Sequence, residues 1–133
     1  MRGNSETLVK KFAKAAEEAG HKVEVVNLRD KTIKFCIGCL VCQKTKHCVI
    51  ADDANVIAQK MLIAEVIAFV KRVCFYGMSG QMKTMLDRSN PLYPSDYAFR
   101  DIYLLASAAE EGECAIDGTI KGIQGLIALK NQD

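Results

Sequence analysis

The sequence lacks the features that mark membrane, secreted and nucleic-acid-binding proteins. None of its apolar runs approaches the ~20 residues that a membrane-spanning helix needs, and its first residues are polar, unlike those of a signal peptide. The formal net charge of +2 is too small to indicate binding to nucleic acid or to an anionic membrane surface. We therefore expect a cytoplasmic protein that binds neither nucleic acid nor membrane.

What is present fits a single globular domain over residues 1–133. Half of the residues are hydrophobic and 26% are charged, which is ordinary for a globular protein, and the length suffices to bury a core. No internal repeat, low-complexity tract or linker divides the chain. In a cytoplasmic protein, clustered cysteines indicate metal or redox chemistry rather than disulfide bonds.

Helical patterns begin and end at recognisable capping residues. "NSETLVKKFAKAAEEAG" predicts a helix that Asn4 or Ser5 caps and Gly20 ends. "DDANVIAQKMLIAE" predicts a helix capped by one of its two aspartates, and "SGQMKTMLDR" predicts another capped by Ser79. A weaker helical pattern, "GTIKGIQGLIALK", closes the chain.

Three short apolar runs between these helices are typical of buried strands. They are "KVEVVNL", "EVIAFV" and "DIYLLAS". Helices that alternate with such strands predict an α/β protein with a mainly parallel sheet covered on both faces. Ligands of such sheets bind outside the carboxyl ends of the strands, so we expect the loops after the three strands and the start of the first helix to form one site.

The first of these loops, "FCIGCLVCQKTKHC", holds four of the six cysteines. Cys36, Cys39, Cys42 and Cys48 have the spacing C-x2-C-x2-C-x5-C. One loop of this kind can wrap a [4Fe-4S] cluster, each thiolate reaching one iron, and four thiolates also satisfy zinc. Reduced thiols without a metal are a further interpretation, and disulfides are the least favoured one.

The sequence resembles the flavodoxin-like NADPH-dependent FMN reductase family, which includes the iron-sulfur flavoproteins. "GNSETL", "CIGCLVCQKTKHCVIADD", "FYGMSGQMKTMLDR" and "YPSDYAF" followed by "LLASAAEE" are similar to its blocks, in order. The resemblance implies a flavodoxin-like three-layer α/β sandwich that binds FMN. Some relatives hold a [4Fe-4S] cluster in such a cysteine run, which would make Cys36, Cys39, Cys42 and Cys48 its ligands, and others are flavin-only reductases.

The resemblance also implies which residues hold FMN. Asn4, Ser5 and Thr7 would bind the phosphate, a role that the start of a helix can fill. The isoalloxazine ring would be bordered by Val73, Cys74, Phe75, Tyr76 and Gly77 and by Ala108 and Ala109. Hydride would pass from NAD(P)H to the flavin, and electrons from there to a small-molecule acceptor such as a quinone or free flavin, or to a cluster. No catalytic acid or base is assigned.

Three departures from the family pattern affect these expectations. Family members begin with a strand and a glycine-serine turn, whereas this chain begins with Met1-Arg2-Gly3, so the first, central strand and the last strand are expected to be absent. Lys71-Arg72 replaces a small polar residue and proline, which either favours a reduced anionic flavin or damages the site, and Cys74 replaces an aromatic residue. A non-catalytic interaction module is therefore an alternative function. The resemblance also implies that the chain forms a homo-oligomer, because members of the family are commonly dimers or tetramers.

Overall fold

The computed structural model of the chain describes residues 3–73, 76–109 and 113–129. Within them the helices and strands follow in the order α1 (Asn4–Glu18), α2 (Val41–Thr45), α3 (Asp53–Ile63), β1 (Val66–Arg72), α4 (Gly80–Asp87), β2 (Asp101–Ser107) and α5 (Asp117–Leu129). Short 3-10 turns lie at Leu28–Asp30, Asn90–Leu92 and Glu113–Ile116. None of the described helices is long and apolar enough to cross a membrane.

β1 and β2 pair in parallel and form the sheet of the described structure. The register runs from Val66 opposite Asp101 to Arg72 opposite Ser107. Helix α1 covers one face, where the ring of Phe12 lies 5.9 Å from that of Tyr103. The three layers and the parallel strands confirm the predicted α/β class and are consistent with a flavodoxin-like fold.

The opposite face of the sheet carries the hydrophobic core. It joins side chains of α3, α4 and α5 to Phe69 of β1 and to the segment before β2. The core members are Ala54, Ile57, Ala58, Met61, Phe69, Met85, Leu92, Phe99, Ile123 and Leu126. Helix α3 presents Ile57 and Met61 to it one turn apart, while Val56 is exposed.

Most of the predicted helix ends are confirmed. Asp52 caps α3 by accepting a hydrogen bond from the Ala54 N–H, and Ser79 caps α4 by accepting one from the Met82 N–H. Gly20 ends α1 with φ at +91°, a conformation that favours glycine. The predicted cap of α1 is wrong, because the helix begins at Asn4 and its N-cap is Gly3, which has no side chain to donate or accept.

The predicted strand "KVEVVNL" is also wrong. Residues 21–27 are irregular, and no strand ladder of the described residues includes them. A β-branched run becomes a strand only where a neighbouring backbone pairs with it, and β1 has its described partner in β2. Val26 and Leu28 instead pack against the core, and Val25 is left 57% exposed.

Candidate functional site

The start of α1 and the carboxyl ends of both strands meet at one edge of the sheet. The Ser5 hydroxyl lies 3.2 Å from the Ser107 hydroxyl, and the Val73 N–H donates to the Ser107 carbonyl at 2.8 Å. Ala108 and Ala109 follow Ser107 and are exposed at this edge. The convergence that the sequence predicted is therefore present for the helix start and for these two strand ends.

This edge has the donors that a phosphate needs. Asn4 and Thr7 are exposed in the first turn of α1, beside the half-buried Ser5. The first N–H groups of a helix have no carbonyl partner within it, and its dipole favours an anion there. The residues fit the phosphate of a flavin mononucleotide, although Glu6 in the same turn adds a negative charge.

The loop after β1 is held from two sides. Buried Lys71 donates from Nζ to the Gly77 carbonyl at 2.5 Å. On α5, a Cβ added to Gly118 would clash with the Tyr76 carbonyl oxygen. The loop can therefore pack against α5 at this point only because glycine has no Cβ. Tyr76 has φ of +60° and is 56% exposed.

Two predicted flavin contacts cannot be compared with this geometry. Cys74 and Phe75 lie outside the described residues. Lys71 and Arg72, the charged pair before these residues, lie in different surroundings. The Lys71 ammonium donates to the Gly77 carbonyl, whereas Arg72 is exposed. A lysine in this position therefore supports the shape of the loop.

The four clustered cysteines line a single pocket. Cys36, Cys39, Cys42 and Cys48 line one small pocket with a cavity volume of about 20 Å³, which is partly open to solvent. All four are free thiols, so the disulfide interpretation is not realised among them. Cys36 and Cys39 are exposed, Cys48 is half-buried and Cys42 is 8% exposed.

Left-handed backbone turns bend this loop back on itself. Gly38, Leu40 and Lys46 have φ of +67°, +56° and +62° on either side of the short helix α2. Positive φ is costly for leucine and lysine, so the surrounding structure must hold these turns.

The thiols are close enough to influence one another. Burial raises the pKa of the Cys42 thiol, and the charges of Cys48, Cys36 and Cys39 raise that pKa further. Thiols must lose their protons to bind a metal, so metal binding here would release protons. The donor set fits a metal centre, but no three Cys, His, Asp or Glu side chains within the described ranges already converge on one point.

A buried ion pair joins the two ends of the cysteine loop, at Lys34 and Ile50, which we call the base of the loop. Arg88 donates from its two terminal nitrogens to the two carboxylate oxygens of Asp52 at 2.8 and 2.9 Å. The same nitrogens donate to the carbonyls of Lys34 at 2.8 Å and Ile50 at 3.0 Å, on either side of the cysteines. The side chain of Arg88 is 0% exposed and that of Asp52 is 4% exposed.

The start of α3 adds further bonds to this base. Asp52 also accepts from the Lys34 N–H at 2.8 Å, and Asp53 accepts from the Thr32 N–H at 2.7 Å. Burial alone would raise the pKa of Asp52, but the hydrogen bonds from Arg88 and from two backbone N–H groups lower it overall. Asp52 is therefore both a helix cap and the counter-ion of Arg88.

Comparison with known proteins places the chain among flavin reductases. The model of the family described as NADPH-dependent FMN reductase matches residues 1–114. The chain belongs to the NADPH-dependent FMN reductase family. No solved structure matches it significantly.

Curated relatives of this family member are iron-sulfur flavoproteins by name. One from Methanocaldococcus jannaschii is 40% identical over 90 residues, covering 68% of this chain and 47% of the relative. One from Archaeoglobus fulgidus is 31% identical, covering 74% and 48%. One from Methanosarcina thermophila is 27% identical, covering 92% and 63%. The chain thus spans about half of the length of the first two relatives.

The sequence did not reveal how three residues shape the site of this FMN reductase family member, although it did place Lys71 near the flavin. Arg88 stands among ordinary helix-ending residues, and nothing in its neighbourhood signals that the side chain is buried. Lys71 is likewise buried, and nothing at the end of its apolar strand signals this burial. Gly118 lies before a helical pattern that glycines already weaken, so its contact with Tyr76 has no sequence signal.

Proposed function

We propose that this chain is an FMN-dependent oxidoreductase. The observation that carries the proposal is the meeting of the start of α1 with the carboxyl ends of β1 and β2, where Ser5 touches Ser107. This is the edge at which parallel α/β sheets bind their ligands. When bound, FMN would supply the transfer of a hydride or of single electrons.

The residues of the chain would bind and orient the cofactor. Asn4, Ser5 and Thr7 would donate hydrogen bonds to its phosphate. The backbone of residues 73–77 would border the flavin ring together with Ala108 and Ala109. Lys71 and Gly118 keep the Gly77 and Tyr76 carbonyls of this segment in place. The small side chains of the two alanines allow a flat ligand to approach the backbone closely.

NAD(P)H is the proposed hydride donor, and a small molecule such as a quinone or free flavin is the proposed acceptor. The test begins with the absorption spectrum of anaerobically purified protein before and after addition of FMN. Bound flavin bands and the oxidation of NADH or NADPH would support the proposal. Protein that never takes up FMN contradicts it.

A second candidate is an iron-sulfur flavoprotein, in which electrons pass between FMN and a [4Fe-4S] cluster. It is favoured by the pocket that all four cysteines line and by the names of the curated relatives. Cys36, Cys39, Cys42 and Cys48 would be the cluster ligands, since compact cysteine runs suit such clusters.

Metal and sulfide analysis of anaerobic protein separates this candidate from the others. Iron and acid-labile sulfide that are lost in Cys39→Ala would support the cluster. Zinc without sulfide would assign the same thiols to a tetrahedral zinc site. Protein that binds FMN but contains neither iron nor zinc would be a flavin-only reductase.

A third candidate is a non-catalytic interaction module. It is favoured by exposed Val25 and Val66 and by residues 21–27, which pair with no strand in the part of the chain that the structure describes. Open strand edges pair readily with other chains, and we also propose a homo-oligomer on this basis. Sedimentation analysis together with activity decides between these roles. A monomer that reduces acceptors at an enzyme-like rate would exclude the module.

A further inference from the structure

Arg88 connects the two ends of the cysteine loop. Its guanidinium binds the Lys34 carbonyl before the first cysteine and the Ile50 carbonyl after the last one. The bonds within the loop are local, such as the one from the Lys46 N–H to the Cys42 carbonyl at 2.8 Å. We propose that Arg88 is the positioning residue of this loop, which holds its base closed and sets a fixed positive charge beside Cys48.

The geometry requires arginine. A guanidinium has five N–H donors in one plane, and here two of its nitrogens serve two carbonyls and both carboxylate oxygens of Asp52. A lysine ammonium has three donors around one point and cannot span the Lys34 and Ile50 carbonyls together with a two-pronged carboxylate. Asp52 in turn neutralises the buried charge and adds its own bond to the Lys34 N–H.

The positive charge of Arg88 also interacts with Cys48, the last cysteine of the loop. The guanidinium bonds the Ile50 carbonyl at 3.0 Å, two residues after Cys48. Burial would lower the pKa of Arg88, whereas the hydrogen bond to Asp52 and the charge and hydrogen bonding of Cys48 raise it. Arg88 Nε is buried and has no hydrogen-bond partner within the described residues. A Cys48 thiolate would offer an acceptor to this orphaned donor.

This part of the inference rests on the proposed cluster. The reduction potential of an iron-sulfur cluster depends on nearby charge and on hydrogen bonds to its sulfurs. A fixed cation that donates to the Cys48 sulfur would stabilise the more negative, reduced form. Arg88 would therefore raise the potential, and the carboxylate of Asp52 would partly offset that effect.

The first experiment uses iron-free protein and does not depend on a cluster. Thiol labelling of Cys42 is followed by mass spectrometry in Arg88→Lys, Asp52→Asn and the control Lys83→Gln, which changes an exposed charge on the same helix. We expect labelling at least about tenfold faster in the first two variants, because it follows the population of the opened loop. Unchanged labelling in a folded Arg88→Lys protein would overturn the positioning role.

The second experiment measures the midpoint potential of the reconstituted cluster. Arg88→Gln removes a positive charge and should lower the potential, whereas Asp52→Asn removes a negative charge and should raise it. Shifts in the same direction would mean that both variants merely loosen the loop, and the charge role would be wrong. If the unmodified protein takes up no iron and sulfide, the cluster proposal and this charge role fail, while the labelling still decides the positioning role.

Discussion

Arg88 and Asp52 form a two-pronged, buried ion pair that joins the end of α4 to the start of α3. The four atoms of the pair meet at 2.8 and 2.9 Å, and the remaining donors of the guanidinium bind backbone on both sides of the cysteine loop. A buried pair of this kind contributes mainly through the cost of breaking it, because removal of one partner leaves an uncompensated charge. The fold and the candidate metal centre therefore depend on the same contact.

Removal of the carboxylate should destabilise the fold strongly. We expect Asp52→Ala to lower the free energy of unfolding by about 3–5 kcal/mol, since it leaves the Arg88 charge buried without a counter-ion. Urea unfolding followed by circular dichroism measures this loss. Lys83→Ala is the matched control, because it breaks the exposed pair with Asp87 on the same helix and should cost less than about 0.5 kcal/mol. Equal losses in both variants would contradict the buried role.

The contribution of Asp52 should depend on pH in a defined direction. Its pKa is lowered in the folded protein, so its stabilisation is present above the unfolded pKa and is lost as the pH falls through the folded one. The difference in unfolding free energy between the unmodified protein and Asp52→Asn should thus be constant near neutral pH and shrink below about pH 4. A difference that grows on acidification would contradict the lowered pKa.

A negative charge in the first turn of α1 should weaken FMN binding. We expect Thr7→Glu to raise the dissociation constant for FMN about tenfold or more, because a carboxylate would repel the phosphate and compete for the helix dipole. Fluorescence titration of FMN gives the constant. Gln59→Glu adds the same charge at an exposed position of α3 and should leave binding unchanged. Equal affinities in Thr7→Glu and the control would place the phosphate elsewhere.

Two glycines of α5 should respond to alanine in opposite ways. Gly118→Ala would drive a Cβ against the Tyr76 carbonyl, which must move, so we expect a loss of about 1–3 kcal/mol and weaker FMN binding. Nothing lies within 4 Å of a Cβ at Gly125, so Gly125→Ala should stabilise the helix by about 0.5–1 kcal/mol. Thermal unfolding and FMN titration of both variants provide the comparison. Stabilisation by Gly118→Ala would mean that the loop does not pack there.

The sequence by itself determined the local structure wherever one residue type suffices. Asp52 and Ser79 begin their helices because their oxygens accept from an N–H two or three residues on, and Gly20 ends α1 because it tolerates positive φ. Apolar runs located β1 and β2, and the spacing of the four cysteines indicated a shared site, which the common pocket supports.

Only the tertiary structure decided what depends on a distant partner. Residues 22–28 have the composition of a strand but no strand partner among the described residues, and strand pairing is a non-local interaction that composition does not reveal. The burial of Arg88 depends on Asp52, Lys34 and Ile50, which lie 36 to 54 positions away along the chain. A charged side chain becomes a core element only when such partners surround it, because burial without them costs more than the fold can supply.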